Sequence, residues 1–206
     1  SKLSKERLLD ELKKIIKFET LEKLNQDKDC LDLLTIIFPE LKNIKIFSHL
    51  KGDQKKLVIE NDFIFLLSLM IIDETDNADY FLYKFNISKK NQKRIKIIDN
   101  FYKEKINLKT FTKNNLNKFF YYNGKEAIID ILCHKIIKLK KVDNNLKELI
   151  RFYEKNKVPL MPIKADLLMK KYEIIEGKQL GEKLKIIEEE WVKNNFKISD
   201  QQIDNI

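Results

Sequence analysis

Helix breakers are scarce in this chain and clustered, and nothing else in it constrains the fold as strongly. Four glycines and three prolines are spread over 206 residues. Two of each (Pro159, Pro162, Gly177 and Gly181) fall between Val158 and Phe196. Glycine costs backbone entropy in a helix, and proline lacks the amide donor and clashes with the preceding turn. Elsewhere, long runs of Leu, Ile, Lys and Glu place apolar residues at helical spacing, and no segment alternates with period two. The expected fold class is all-α, an array of roughly ten packed helices without a sheet. The apolar share, 43%, is enough to build cores and excludes a disordered chain. The clustered breakers divide the expected fold into a helical body over residues 1–157 and a C-terminal tail over residues 158–206.

Caps and apolar stripes predict the elements. Ser4 is placed to cap a helix reaching Phe18, with Leu8, Leu12, Ile15 and Ile16 inward. Asp29 or Asp32 is placed to start the next, with Leu31, Leu34, Ile37 and Phe38 as its buried stripe, and Lys51-Gly52-Asp53 is a loop. Leu57–Ile72 reads as one buried helix, and Ala78–Phe85 as the next. Ser88 is a good cap for a basic helix, Lys89–Lys105, that turns Ile95, Ile98, Phe101 and Tyr102 inward. Thr112 opens a helix that Asn123-Gly124 ends, and Lys125–Leu139 and Asn144–Asn156 follow. In the tail, a short helix, a turn marked by Gly177 and a long amphipathic helix are expected.

The most apolar run, Phe63 to Ile72, is far short of the ~20 residues that cross a bilayer, so no membrane partner is expected. Cys30 and Cys133 lie in apolar runs without metal-ligand spacing, and read as buried free thiols of a reducing, cytoplasmic compartment.

The net charge is +9, and one segment holds the excess. From Lys84 to Lys125 there are twelve Lys or Arg against two acids, Asp99 and Glu104, a net of +10 that leaves −1 for the rest. A concentrated basic segment points to a polyanion, most commonly nucleic acid, with a solvated lysine face as the plain alternative. The quartet Phe119-Phe120-Tyr121-Tyr122 lies among these lysines, with packing as its expected main role and one or two rings at the surface.

Catalytic constellations are wanting. His134 adjoins Cys133, but neighbouring helical residues point about 100° apart, so they make no nucleophile pair, and a structural histidine is expected. His49 is expected to be exposed near a loop. Asp73, Asp76 and Asp79 lack the central Gly and distal Glu of a calcium loop and read as polar residues at a helix start. There is no phosphate-binding Gly-rich loop, zinc spacing or serine elbow.

Several segments, in order, resemble the bacterial tRNA nucleotidyltransferase/poly(A) polymerase family, which includes the CCA-adding enzymes. Met161-Pro162-Ile163-Lys164-Ala165-Asp166-Leu167 is similar to the family's Pro and Lys-Gly-Ala-Asp-Leu segment, although here Lys164 adjoins Ala165 with no intervening glycine. Gly177, Leu180 and Gly181 match Gly-x-x-Leu-Gly, and Glu190, Trp191, Val192 and Phe196 match the family's end. Upstream, Ser4-x-Glu6-Arg7 with Glu11-Leu12, Phe38-Pro39-Glu40-Leu41, Phe85-Asn86-Ile87-Ser88 and Gly124-Lys125-Glu126-Ala127 with Asp130 resemble further family segments.

The resemblance implies the tRNA-gripping body and tail, beginning where the family's neck ends. The family's catalytic head carries a Gly-Ser element with a paired Asp-x-Asp, and its neck a Glu-Asp-x-x-Arg element. This sequence has no such combination. The implied partners are tRNA, or another structured RNA, and a catalytic head in cis or in trans. The implied Mg2+ and nucleoside triphosphate belong to that head, so no cofactor is expected for this chain. Lys89, Lys90, Lys93, Arg94 and Lys96 are the expected RNA-facing residues, with Lys125, Lys164 and Lys178 as further candidates. A poly(A) polymerase relative, and a helical module that binds a protein, are the alternatives.

Overall fold

The computed structural model describes residues 4–24, 26–104, 111–139 and 143–206. It is 73% helical, with no strand among the described residues, as the breaker pattern predicts. The elements are α1 (Lys5–Ile15), α2 (Phe18–Leu24), α3 (Lys28–Ile37), a 3-10 helix (Ile44–His49), α4 (Asp53–Glu60), α5 (Phe63–Ile71) and α6 (Asn77–Lys84). They continue with α7 (Lys89–Lys103), α8 (Lys113–Lys138), α9 (Asn144–Lys155), α10 (Ala165–Tyr172), α11 (Lys178–Lys193) and α12 (Asp200–Asp204).

Two compact units share the chain. One combines α1 to α7 with residues 129–150, and the other combines residues 111–128 with 151–206. The tail segment therefore belongs to a unit that also includes the first part of α8 and the end of α9.

The first unit is built around α5. Ile64 to Ile71 are all buried, and a helix apolar on every side belongs at a centre. Polar groups tie neighbours to its end. The Asn43 backbone N–H donates to Met70 O at 3.0 Å, and its side chain donates to Ile72 O at 2.8 Å. Asn77 Nδ2 donates to Ile71 O at 2.7 Å and Glu40 O at 2.8 Å. Ile131, Leu132, His134 and Ile136 complete the core from α8.

Several local expectations change. The run Leu57–Ile72 is two helices, not one. Asn61 Nδ2 donates to Leu57 O at 2.6 Å and closes α4, and Asp62 Oδ1 accepts from the Phe65 N–H at 2.9 Å and opens α5. The cap of α3 is Asp27, which accepts from the Cys30 N–H at 3.0 Å, so Asp29 lies in the first turn and Asp32 deeper in the helix. Cys30 and Ile37 are exposed because α3 turns only Leu31 and Leu34 inward. Gly124 holds to expectation: with φ 83° and ψ −179° its backbone is not helical, so one helix ends there and a second follows directly across the kink within α8. The basic helix stops at Lys103.

The second unit has its own apolar cluster of Leu168, Leu180, Ile187 and Ile203. Trp191 is buried, with its ring centroid 5.4 Å from Tyr121 and 5.0 Å from Phe196. α11 ends with the Phe196 N–H donating to Trp191 O at 2.8 Å, while Asn195 and Phe196 adopt positive φ. α12 is an addition to the expected elements. Its start is a capping box between Ser199 and Gln202.

Candidate nucleic-acid interface

α7 carries the main candidates. Ser88 caps it, accepting from the Asn91 N–H at 3.4 Å. Its buried face is Ile95, Ile98, Phe101 and Tyr102, which fixes the rotation of the helix. Lys89, Lys90, Lys93 and Lys96 are consequently exposed. Lys89, Lys93 and Lys96 follow i, i+4, i+7 spacing and form one stripe, with Lys90 beside it. The first turn of α7 contains no acid. Cations at a helix N-terminus oppose the macrodipole, at about 0.3–1 kcal/mol each. The arrangement thus leaves a locally uncompensated positive end that an anion would stabilise.

Arg94 is placed differently from these lysines. Its side chain is only 15% exposed. Nε donates to Asp130 Oδ2 at 2.7 Å, Nη2 to Asp130 Oδ1 at 2.9 Å, and Nη1 to Asp62 Oδ2 at 2.6 Å. The bidentate Asp130 pair is the foremost cause that raises its pKa, against opposing desolvation. Arg94 therefore ties α7 to α8 and to the cap of α5.

The remaining candidates are dispersed. Lys96 Nζ is 3.9 Å from Asp79 Oδ1 and stays exposed. Lys125 Nζ donates to Glu154 O at 2.6 Å, within the second unit. Lys164 is the exposed residue before α10, and Lys178 the exposed first residue of α11, 3.7 Å from Glu182. Of the expected set, α7 groups Lys89, Lys90, Lys93 and Lys96; the others have separate settings.

The aromatic quartet is mainly packing. Phe120 is buried, and Tyr121 donates to Glu188 Oε1 at 2.6 Å while its ring meets Trp191 edge to face. Burial and that hydrogen bond push the Tyr121 phenol up to about 12. Tyr122 alone is strongly exposed. Two exposed tyrosines outside the quartet, Tyr80 and Tyr83 on α6, lie in the first unit, as α7 does. Their signal in the sequence is the spacing of Ala78, Phe81 and Leu82, which turns positions 80 and 83 outward.

The candidate chemical groups have structural employment. His134 is fully buried. The Ser68 hydroxyl donates to Phe65 O at 2.6 Å, so its oxygen accepts from His134 Nε2–H at 2.7 Å, which fixes a neutral tautomer. Burial, followed by Lys138 and Arg94, holds the imidazole well below its ordinary pKa. Asp73 accepts from Thr75 and Lys42, while Lys103 donates to Asp76 and Asp79. Asp27 and Asp29 form an Asp-x-Asp pair, but Asp27 is engaged as a cap and no Gly-Ser precedes it. Among the described residues no group of three or more His, Cys, Asp or Glu could hold a metal ion.

A scan against protein-family models, a search of curated proteins and a search of solved structures each gave no match.

Proposed function

We propose that this chain is an RNA-binding helical module, the tRNA-gripping body and tail of a tRNA nucleotidyltransferase-like protein. The exposed stripe of Lys89, Lys93 and Lys96 with Lys90 at the start of α7 is the observation that carries the reading. Ammonium groups on a rigid helix contact phosphates without demanding a base sequence, which suits recognition of a folded RNA by shape. Arg94 supports the stripe from behind by fixing α7. Nucleotide addition, to give C, C and A, A alone or poly(A), is the work of a head domain supplied in cis or in trans, with its own Mg2+ and nucleoside triphosphate.

The test is tRNA affinity at low salt for the Lys89→Glu/Lys90→Glu/Lys93→Glu/Lys96→Glu variant. Loss of at least tenfold is expected, since each neutralised phosphate contact contributes through counterion release. Affinity equal to wild type overturns the reading.

A second reading has a specific observation in its favour. α3 exposes Leu33, Ile36 and Ile37, an apolar face that a surface helix does not need. In this reading the chain is a protein-binding module, and the head domain is one partner of suitable kind. Leu33→Asp/Ile36→Asp would then abolish co-purification with the head and leave tRNA affinity unchanged. Unchanged co-purification contradicts it.

A further inference from the structure

We propose that the α6–α7 face stacks an unpaired nucleotide of the bound RNA on Tyr83, with Tyr80 alongside and Lys89 and Lys93 on the adjoining phosphates; this rests on the RNA-binding reading above. Tyr83 is 86% exposed and Tyr80 58% exposed. They stand at i, i+3 on the side of α6 opposite its buried Phe81 and Leu82. Solvent alone gives no reason for two rings there.

Ion pairs fix where these rings lie. Lys103, in the last turn of α7, reaches Asp76 Oδ1 at 3.4 Å and Asp79 Oδ2 at 2.9 Å, at the start of α6. Lys96 also approaches Asp79, at 3.9 Å. The end of α7 thus lies beside the beginning of α6, and the two helices run antiparallel. Tyr83 is four residues, about 6 Å, beyond Asp79 along α6. Lys93 and Lys89 are one and two turns before Lys96 along α7. Tyr83 accordingly falls level with the lysine stripe.

The charges around the rings suit an anion. Asp76 and Asp79, the acids at the start of α6, are bridged by Lys103. Its pKa is raised chiefly by its hydrogen bond to Asp99, so it stays charged. Lys84 is drawn to Glu40 at 2.7 Å and adds no positive charge to the outer face. An exposed ring beside ammonium groups is the combination that binds single-stranded RNA, with bases on π faces and phosphates on cations. A paired base has no free face to offer, so the nucleotide must be splayed out of a loop or an end.

Binding by fluorescence anisotropy is measured for wild type, Tyr83→Ala, Tyr80→Ala/Tyr83→Ala and Tyr83→Phe, each against tRNA and against a blunt, fully paired RNA duplex. Thermal melting checks that these exposed substitutions leave the fold intact. The expected result is a loss of about fivefold or more on tRNA for Tyr83→Ala, a larger loss for the double variant, retention by Tyr83→Phe, and no change on the duplex. Wild-type tRNA affinity in Tyr83→Ala, or equal losses on both RNAs, overturns the stacking proposal. If the alanine variants bind tRNA like wild type while the four-lysine variant does not, the stacking fails and the RNA-binding reading stands. If wild type binds neither RNA, both fail.

Discussion

Arg94 sits in a run of cations that sequence alone treats as equivalent, yet its guanidinium is committed to Asp130 and Asp62. Nothing local announces this, because Asp130 is 36 residues away in the chain. The lysines around it were legible as exposed, since the apolar positions of α7 fix its rotation. The expected burial of Cys30 fails for the opposite reason: an apolar neighbourhood in sequence does not say which face of α3 is covered. Asp130→Asn leaves Arg94 beside a neutral partner in a largely buried setting, and should cost about 3 kcal/mol in urea unfolding. Arg94→Lys should not spare that loss, because an ammonium cannot reproduce the fork. A change under about 1 kcal/mol would contradict the structural role assigned to Arg94.

His134 supplies a pH dependence at the same scale. Its folded-state pKa lies well below the ordinary 6.5, so the unfolded chain takes up the proton first. Its contribution is full above about pH 6.5 and falls as the pH drops from there toward the folded value, by up to about 1.4 kcal/mol per unit. Denaturant titrations at pH 7.5 and 5.5 should show wild type losing more stability than His134→Gln over that interval. Equal losses would show that the buried imidazole does not govern this limb.

At the scale of elements, caps were the most legible signals. Ser4 and Ser88 stand where their residue types place them, and both accept a backbone N–H. The capping box of α12 is equally plain in Ser199 and Gln202, beyond the helix that bears Trp191. The break between α4 and α5 is harder to see because apolar residues run on both sides of it, and only Asn61 and Asp62 mark it. Gly124 is legible too: an Asn-Gly pair marks a backbone through which a helix does not continue, and the two helices of α8 meet at it. Gly124→Ala should destabilise by about 1–3 kcal/mol, since φ 83° with ψ −179° is a region that residues with a Cβ avoid. No atom lies within 4 Å of the added methyl, so the loss is one of backbone strain alone. A neutral result in thermal or urea unfolding would contradict that conformation.

For the whole molecule, the all-α class followed from where glycine and proline are absent, while the grouping into units did not. Residues 111–128 and 151–206 come together across more than twenty intervening positions, and no composition shift marks that pairing. The functional reading likewise draws on two levels: segment resemblance for the family, and the rotation of one helix for the surface. Because no Gly-Ser element with a following Asp-x-Asp occurs in the 206 residues, the proposed function predicts that the isolated chain incorporates no labelled nucleotide into tRNA with Mg2+. Clear incorporation would overturn the proposal of a body and tail.

The most direct test of the account is the salt dependence of tRNA binding, followed by anisotropy from about 50 to 200 mM salt for wild type and for the variant carrying Glu at positions 89, 90, 93 and 96. The prediction is that wild-type affinity falls steeply on a log–log plot, and that the variant binds more weakly with a slope shallower by up to about one per lost phosphate contact. Identical affinities and identical slopes for the two proteins would contradict it.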